Sequence, residues 1–266
     1  MTLDPEYLDG EQKDAAELLR RLLEDLHLAC RRTGRFACAV PVAAALPPLP
    51  CLTVAAPALS PAVLDVLRMH SDAVWERHVA AHGSPVTLLM EGLVARVRVC
   101  PDGHAGAPTF TPFRALELSF PGGGGGELDV RAMVEAWQRP ELVDCECAGC
   151  GGRTVATSQT TVISRYPVWL VTQFCRFKSG AASAKRWRGD KIRTAVAVSS
   201  DLAFAGAHYQ LVSVVCHDGT FARGHYTCWV RFGGGGWRVF DDDEVTERAG
   251  PPPPSQSYLC LYRLTV

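Results

Sequence analysis

Gly224-His225-Tyr226-Thr227-Cys228-Trp229-Val230-Arg231, a glycine loop, and Trp237-Arg238-Val239-Phe240-Asp241-Asp242 read as two strands of one hairpin carrying a histidine and a carboxylate. A histidine oriented by an aspartate is two thirds of the machinery that activates a nucleophilic thiol. Side chains alternate across a sheet, so the loop decides whether the two groups meet. A loop that pairs Phe232 with Trp237 sends His225 and Asp241 to opposite faces. A loop one residue longer, pairing Arg231 with Trp237, sets Thr227 opposite Asp241 and leaves His225 diagonal to it, roughly 7 Å away by backbone and on the same face. The second register, or an equivalent bulge, is the expected one.

The 266-residue chain is 47% apolar, enough for a large core, so disorder is not the default. Lys plus Arg (27) nearly balances Asp plus Glu (28), and no global charge draws the chain to nucleic acid or to an anionic membrane. The start, Met1-Thr2-Leu3-Asp4-Pro5-Glu6, lacks the basic flank and apolar run of a signal peptide, and no later run is apolar enough to span a bilayer. A soluble protein of the cytoplasm, the nucleus or both is expected. Eleven cysteines, an odd number, in such a reducing compartment argue for burial, metal binding or catalysis over a disulfide framework.

Ala15, Leu18, Leu19, Leu22, Leu23 and Leu26 recur at helical spacing behind an Asp9-Gly10-Glu11-Gln12 run that suits a capping box. Residues 37 to 59 are rich in Ala and Pro and read as an irregular insertion. Ser60-Pro61 signals a second helix through Val63, Leu67, Val74 and Trp75 that stops near Gly83. Strands follow at Leu93 to Val99 and Phe113 to Phe120, closed by the glycines at 122 to 126. A short helical pattern, Val130, Met133, Val134 and Trp137, leads into a cysteine cluster. From Val155 the chain reads as strands, so helices come first and a β-rich body follows, an α+β arrangement.

The ordered segments from Tyr209 to Gly219, from Gly224 to Val230, from Trp237 to Asp242 and from Tyr258 to Arg263 resemble the C-terminal half of the ubiquitin-specific protease family. Tyr7 with Gln12 to Leu18, Trp75-Glu76-Arg77-His78, Ser84, Met90-Glu91-Gly92-Leu93, Phe110, Phe113, Leu116, Leu118 and Cys147-Ala148-Gly149-Cys150 add to it. The resemblance covers nearly the whole chain outside residues 31 to 59. It implies a papain-like cysteine protease hand. Residues 1–92 would be a partial helical thumb with the insertion at 31–59, residues 93–155 fingers with a zinc knuckle, and residues 156–266 the palm. The implied activity is cleavage after the C-terminal glycine of ubiquitin. The implied partners are ubiquitin and ubiquitinated proteins, with no nucleic acid, no membrane and no cofactor for catalysis.

By the same resemblance His225 is the general base, Asp241 its orienting acid and Asp242 the second acid. An imidazole that titrates near neutral pH suits the base. Asp14 and Glu17, at i and i+3 on one helix face, become candidates to hold the basic tail of ubiquitin. His217 and Tyr226 fall in the same cleft, and Gly224 would let a substrate backbone approach closely. Cys147 and Cys150 have ligand-pair spacing, and a structural zinc ion needs two more donors. Cys100-Pro101-Asp102-Gly103-His104 offers Cys100 and His104, with glycine where the family has its second cysteine, and Cys145 is a nearer spare thiolate.

The nucleophile segment, a cysteine after a Gly-Asn-Thr turn, has no counterpart in this sequence. Cys38 and Cys51 lack a helix start or a glycine turn that would lower a thiol pKa. Three readings follow: a truncated form of a complete deubiquitinase, a non-catalytic ubiquitin-binding remnant, and a zinc-knuckle module unrelated to ubiquitin. Only the last predicts no common cleft for His225, Asp241 and Asp14.

Overall fold

The structure, a computed structural model, describes residues 13–32, 61–121, 128–177, 191–204, 207–220, 223–233 and 235–265. Its helices are α1 (Ala15–Arg32), α2 (Pro61–His82), α3 (Pro85–Met90) and α4 (Val130–Trp137). The strands are β1 (Gly92–Val99), β2 (Thr109–Phe113), β3 (Ala115–Leu118), β4 (Leu128–Asp129), β5 (Glu141–Cys147), β6 (Arg153–Arg165), β7 (Trp169–Phe174), β8 (Val196–Ala197), β9 (Asp201–Phe204), β10 (Ala207–Gly219), β11 (Gly224–Arg231), β12 (Trp237–Asp241), β13 (Glu244–Arg248) and β14 (Ser257–Thr265). They form two interleaved units, one of Met1–Leu26, Arg114–Ala136 and Val168–Val266, the other of His27–Phe113 and Trp137–Pro167. Each unit groups segments distant along the chain.

In the second unit the sheet order is β2-β1-β6-β5, all antiparallel. Leu67 of α2 packs on Ala95 and Val97, the apolar face of β1. The expected stop of α2 holds, with Gly83 donating its N–H to Val79 O at the helix end. The helix α3 was missed, and its signal was present: Ser84-Pro85 repeats the Ser60-Pro61 pattern, and Ser84 Oγ caps Thr87 N–H at 3.1 Å. His27 Nδ1 meets the same hydroxyl at 2.7 Å, so both polar groups are buried in company. The single strand expected from Phe113 to Phe120 is corrected to two, because the chain leaves β2 of this sheet at Arg114 and enters the other unit as β3.

In the first unit one sheet runs β13-β12-β11-β10-β14-β7-β3, with β9 on β10. All pairs are antiparallel except β3 with β7. Val214, Tyr209, Leu211, Tyr262 and Leu170 bury its middle. The consecutive Cys216 and His217 are both buried, so β10 is covered on both faces here, and the register shift beside them places its extra residue, Tyr258, in β14. The described part of α1 starts at Ala15, with Asp14 as its cap. The run from Asp9 to Gln12, residues 33–60 including Cys38 and Cys51, and the glycines 122–126 lie outside the described residues.

Arg176 is fully buried, with no carboxylate as a partner among the described residues. Its guanidinium donates instead to the carbonyls of Ser257 (2.6 Å), Ile192 (2.9 Å), Thr194 (2.9 Å) and Pro254 (3.0 Å). Burial lowers its pKa to about 10, still well above neutrality. The planar fork thereby closes two irregular segments over the sheet. Arg176→Met is expected to strand four buried carbonyls and cost about 3–5 kcal/mol in urea unfolding, with Arg176→Lys recovering part of it.

Candidate functional site

The hairpin register is Cys228↔Phe240, Trp229↔Val239, Val230↔Arg238 and Arg231↔Trp237, the register expected from the need to bring the two groups together. Continued by one pair it sets Thr227 against Asp241, and His225 Nε2 lies 2.5 Å from Asp241 Oδ1. The hydrogen bond to Asp241 raises the His225 pKa above its ordinary value against a small opposing effect of burial, and the charges of Asp241, Asp242 and Asp218 add to it. When the neutral ring donates Nε2–H to Asp241, Nδ1 is the nitrogen left with a lone pair for a proton. Both side chains are about half exposed, 50% and 51%, so the pair faces solvent and is not a core ion pair.

A cavity of about 390 Å³ opens beside this pair. Asp14, His217, Gly224, His225, Tyr226 and Asp242 line it, joined by Lys13 and Phe177. Asp241 reaches it through His225. Glu17 does not line it, and the reason corrects the reading of one shared helix face. Asp14 is the N-cap of α1, where its Oδ1 accepts from the N–H groups of Ala16 (2.9 Å) and Glu17 (3.0 Å). Its Oδ2 accepts from the hydroxyls of Tyr258 (2.6 Å) and Tyr226 (3.4 Å). Burial first, and then Asp14, through its charge at Tyr226 and its hydrogen bond at Tyr258, push both phenols well above their usual pKa. Asp14 is therefore a fixed carboxylate with four donors already around it.

A Cβ at Gly224 would lie 1.9 Å from His217 Nε2, so the His217 ring fills one side of its Cα, and Gly224 also lines the cavity. That ring is 3% exposed, contacts Tyr226 and Phe177, and has an Nδ1 without a hydrogen-bond partner among the described residues. Burial foremost, then the Lys191 charge, lowers its pKa to about 4. Lys191 Nζ donates to His217 O at 2.5 Å and His217 N–H donates to Gln256 O at 2.8 Å, which anchors the backbone under the ring. His217 is thus a neutral wedge between the pocket and the sheet. Asp242, in the turn after β12, lines the cavity and has φ +50°, a left-handed conformation that costs a non-glycine residue energy.

In the second unit Cys100, His104, Cys147 and Cys150 bring their ligand atoms within 4.8 Å of one another. Cys100 Sγ lies 3.7 Å from Cys150 Sγ, and His104 Nδ1 lies 3.4 Å from Cys100 Sγ and 3.3 Å from Cys150 Sγ. A tetrahedral zinc ion with ordinary bond lengths separates sulfur from sulfur by about 3.8 Å and sulfur from nitrogen by about 3.6 Å. The residues fit the ion. The turn from Cys100 to His104 has Gly103 at φ +83°, and the turn after Cys147 ends at Gly151 with φ +72°. Burial acts to raise the Cys100 thiol, but the N–H groups of His104 and Asp102 outweigh it and bring the pKa down to about 7, toward the thiolate a metal needs. Cys150 is pushed up to about 12 by burial and by its contact with Asp102. Cys145 is not part of the cluster and donates to Thr157 Oγ1 at 3.3 Å. A Cβ at Gly149 would meet His104 Cγ at 2.4 Å, so the second knuckle makes room for an imidazole.

Residues 2–262 match the family described as ubiquitin carboxyl-terminal hydrolase. The chain belongs to that family. It is 28% identical over 284 residues to ubiquitin carboxyl-terminal hydrolase 21 of Bos taurus, covering 98% of this chain and 47% of that protein. It is 27% identical over 277 residues to ubiquitin carboxyl-terminal hydrolase 2 of Gallus gallus, covering 98% of this chain and 70% of that protein. The chain thus spans about half the length of the hydrolase 21 relatives. Among solved structures, the SAGA DUB module Ubp8/Sgf11/Sus1/Sgf73 bound to monoubiquitin is similar with a TM-score of 0.59 at 20% identity, over 76% of this chain and 48% of that one. The same module bound to ubiquitin aldehyde gives 0.57 at 19% identity, over 76% and 49%. The fold is the α+β, papain-like fold of this cysteine-type deubiquitinase family. The unrelated-module reading falls on this membership and on the cavity that His225 shares with Asp14.

Two predictions test these local arguments. Below pH 6.5 an unfolded histidine takes up a proton that folded His217 refuses until about pH 4, so the stability it contributes is present above pH 6.5 and lost as pH falls through this window. Melting temperature against pH is expected to fall less steeply between these limits in His217→Gln than in the native chain. Gly149→Ala is expected to displace the His104 ring and weaken cobalt or zinc binding about tenfold in a chelator competition.

Proposed function

We propose that this chain supplies the base, the orienting acid and the tail-binding cavity of a thiol hydrolase that cuts after the C-terminal glycine of ubiquitin, acting on ubiquitinated proteins in the cytoplasm, the nucleus or both. The supporting observation is the 2.5 Å contact of His225 Nε2 with Asp241 at the mouth of a cavity, with Nδ1 as the proton acceptor. A thiol placed against Nδ1 gives up its proton to the ring. Asp241 holds the ring orientation and favours the imidazolium formed, the same effect that raises the His225 pKa. The thiolate attacks the carbonyl of the terminal glycine, and the imidazolium returns the proton to the leaving amine. Asp14 and Asp242 put negative charge where a basic tail would enter.

Zinc, held by Cys100, His104 Nδ1, Cys147 and Cys150, would tie the end of β1 to the end of β5 and take no part in the chemistry. No cysteine lines the cavity among the described residues. This favours a second reading, ubiquitin binding without hydrolysis, unless a thiol reaches His225 from residues beyond those described or from another polypeptide. Both readings require recognition of the tail.

Titration calorimetry of the chain with ubiquitin, and with ubiquitin shortened by its last residues, tests the common ground. Binding at least tenfold weaker for the shortened form is expected, and equal affinities would overturn both readings. A thiol-reactive ubiquitin probe then separates them. Covalent labelling that is lost in His225→Ala supports hydrolysis, whereas tail-dependent binding without labelling supports the binding role for this chain alone.

A further inference from the structure

Beyond β12 the sheet of the first unit ends in β13, whose five residues Glu244, Val245, Thr246, Glu247 and Arg248 are all exposed, and among the described residues no strand pairs with its outer side. Val245 (57% exposed) lies directly across from Phe240 (42% exposed), an apolar pair on the surface. Arg238 Nε holds Glu247 Oε1 at 3.3 Å, while Glu244 and Arg248 have no ion-pair partner among the described residues.

The hairpin decides which backbone groups this edge offers. Asp242 and Asp243 form the two-residue turn between Asp241 and Glu244, and such a turn is closed by a hydrogen bond between its flanking residues. In an antiparallel pair the bonded and unbonded positions alternate. Glu244, Thr246 and Arg248 therefore spend their N–H and C=O groups on β12, and Val245 and Glu247 direct theirs outward. Those four groups are the docking capacity of the edge.

We infer that β13 pairs antiparallel with β13 of a second copy of this chain, about a two-fold axis through Thr246. In that register Val245 of each copy exchanges both backbone hydrogen bonds with Glu247 of the other, so all four outward groups are used. Thr246 meets itself, and Glu244 of each copy faces Arg248 of the other, which gives two opposite-charge pairs. Centring the axis on Val245 sets Asp243 against Glu247, and centring it on Glu247 sets that carboxylate against itself, so both neighbouring registers carry like-charge pairs. Charged residues on an edge ordinarily deter pairing. Here the signs differ at the two ends, and the two-fold brings unlike ends together. The apolar Val245 and Phe240 flank the contact on the other face. The strand belongs to the same hairpin as Asp241, so pairing would also brace the acid that orients His225.

Five residues a side fall well below a standard interface, so association on the order of 100 µM is expected. Sedimentation equilibrium of the full chain under reducing conditions, from about 10 µM to about 1 mM, should show a species of twice 28.8 kDa. Arg248→Glu and Glu244→Arg should each weaken it at least tenfold, and the double exchange should restore it to within threefold. Val245→Pro removes an outward N–H that β12 does not use, and should abolish pairing with an unchanged melting curve. Monomer mass at every concentration overturns the proposal. So does a dimer indifferent to these substitutions, or a double exchange that fails to restore it.

Discussion

A single register, Arg231 against Trp237, carries the functional end of this protein. A shift by one residue would turn Asp241 to the opposite face, since every side chain of a strand changes sides with a one-residue slip. The buried Trp237 and Val239 hold the register, because their faces cannot be exchanged for those of Arg238 and Phe240 without burying a charge. The exposed acid and imidazole are thus positioned by hydrophobic groups two and four residues away. Their own contact is half solvated and contributes little to folding.

A second layer stands beneath this pair. His217, paired with Tyr226 across β10 and β11, fills the space that Gly224 leaves, and Gly224 begins the strand that carries His225. Arg176 secures Ile192 and Thr194 next to Lys191, and Lys191 holds the His217 carbonyl. Asp14 joins the start of α1 to Tyr226 and Tyr258. These contacts turn separate strands into one walled cavity. They also explain why a carboxylate that resembled a free ligand for a basic tail is first a helix cap.

The cysteine cluster follows a different logic. The ligand atoms of Cys100, His104 and Cys150 stand at the spacings of a tetrahedral ion, with that of Cys147 within 4.8 Å of them, although glycine follows where a second cysteine was expected. The replacement works because His104 is one residue further on and reaches back through Nδ1, and because Gly149 has no side chain to block the ring. His104 and Gly149 are a steric pair.

Local patterns in the sequence were sufficient for the amphipathic α1, the α2 that ends before Gly83, the strand before Cys100, the helix at Val130 and the hairpin with His225 and Asp241, since period, helix stops and loop length act over a few residues. The exclusion of Cys145 from the metal cluster, the break at Arg114, the burial of His217, the tie of Asp14 to Tyr226 and Tyr258 and the carbonyl clamp of Arg176 were decided only by tertiary structure. Each depends on groups tens to hundreds of residues apart, and a buried polar atom takes whichever partner packing brings within reach, a choice that no local repeat encodes.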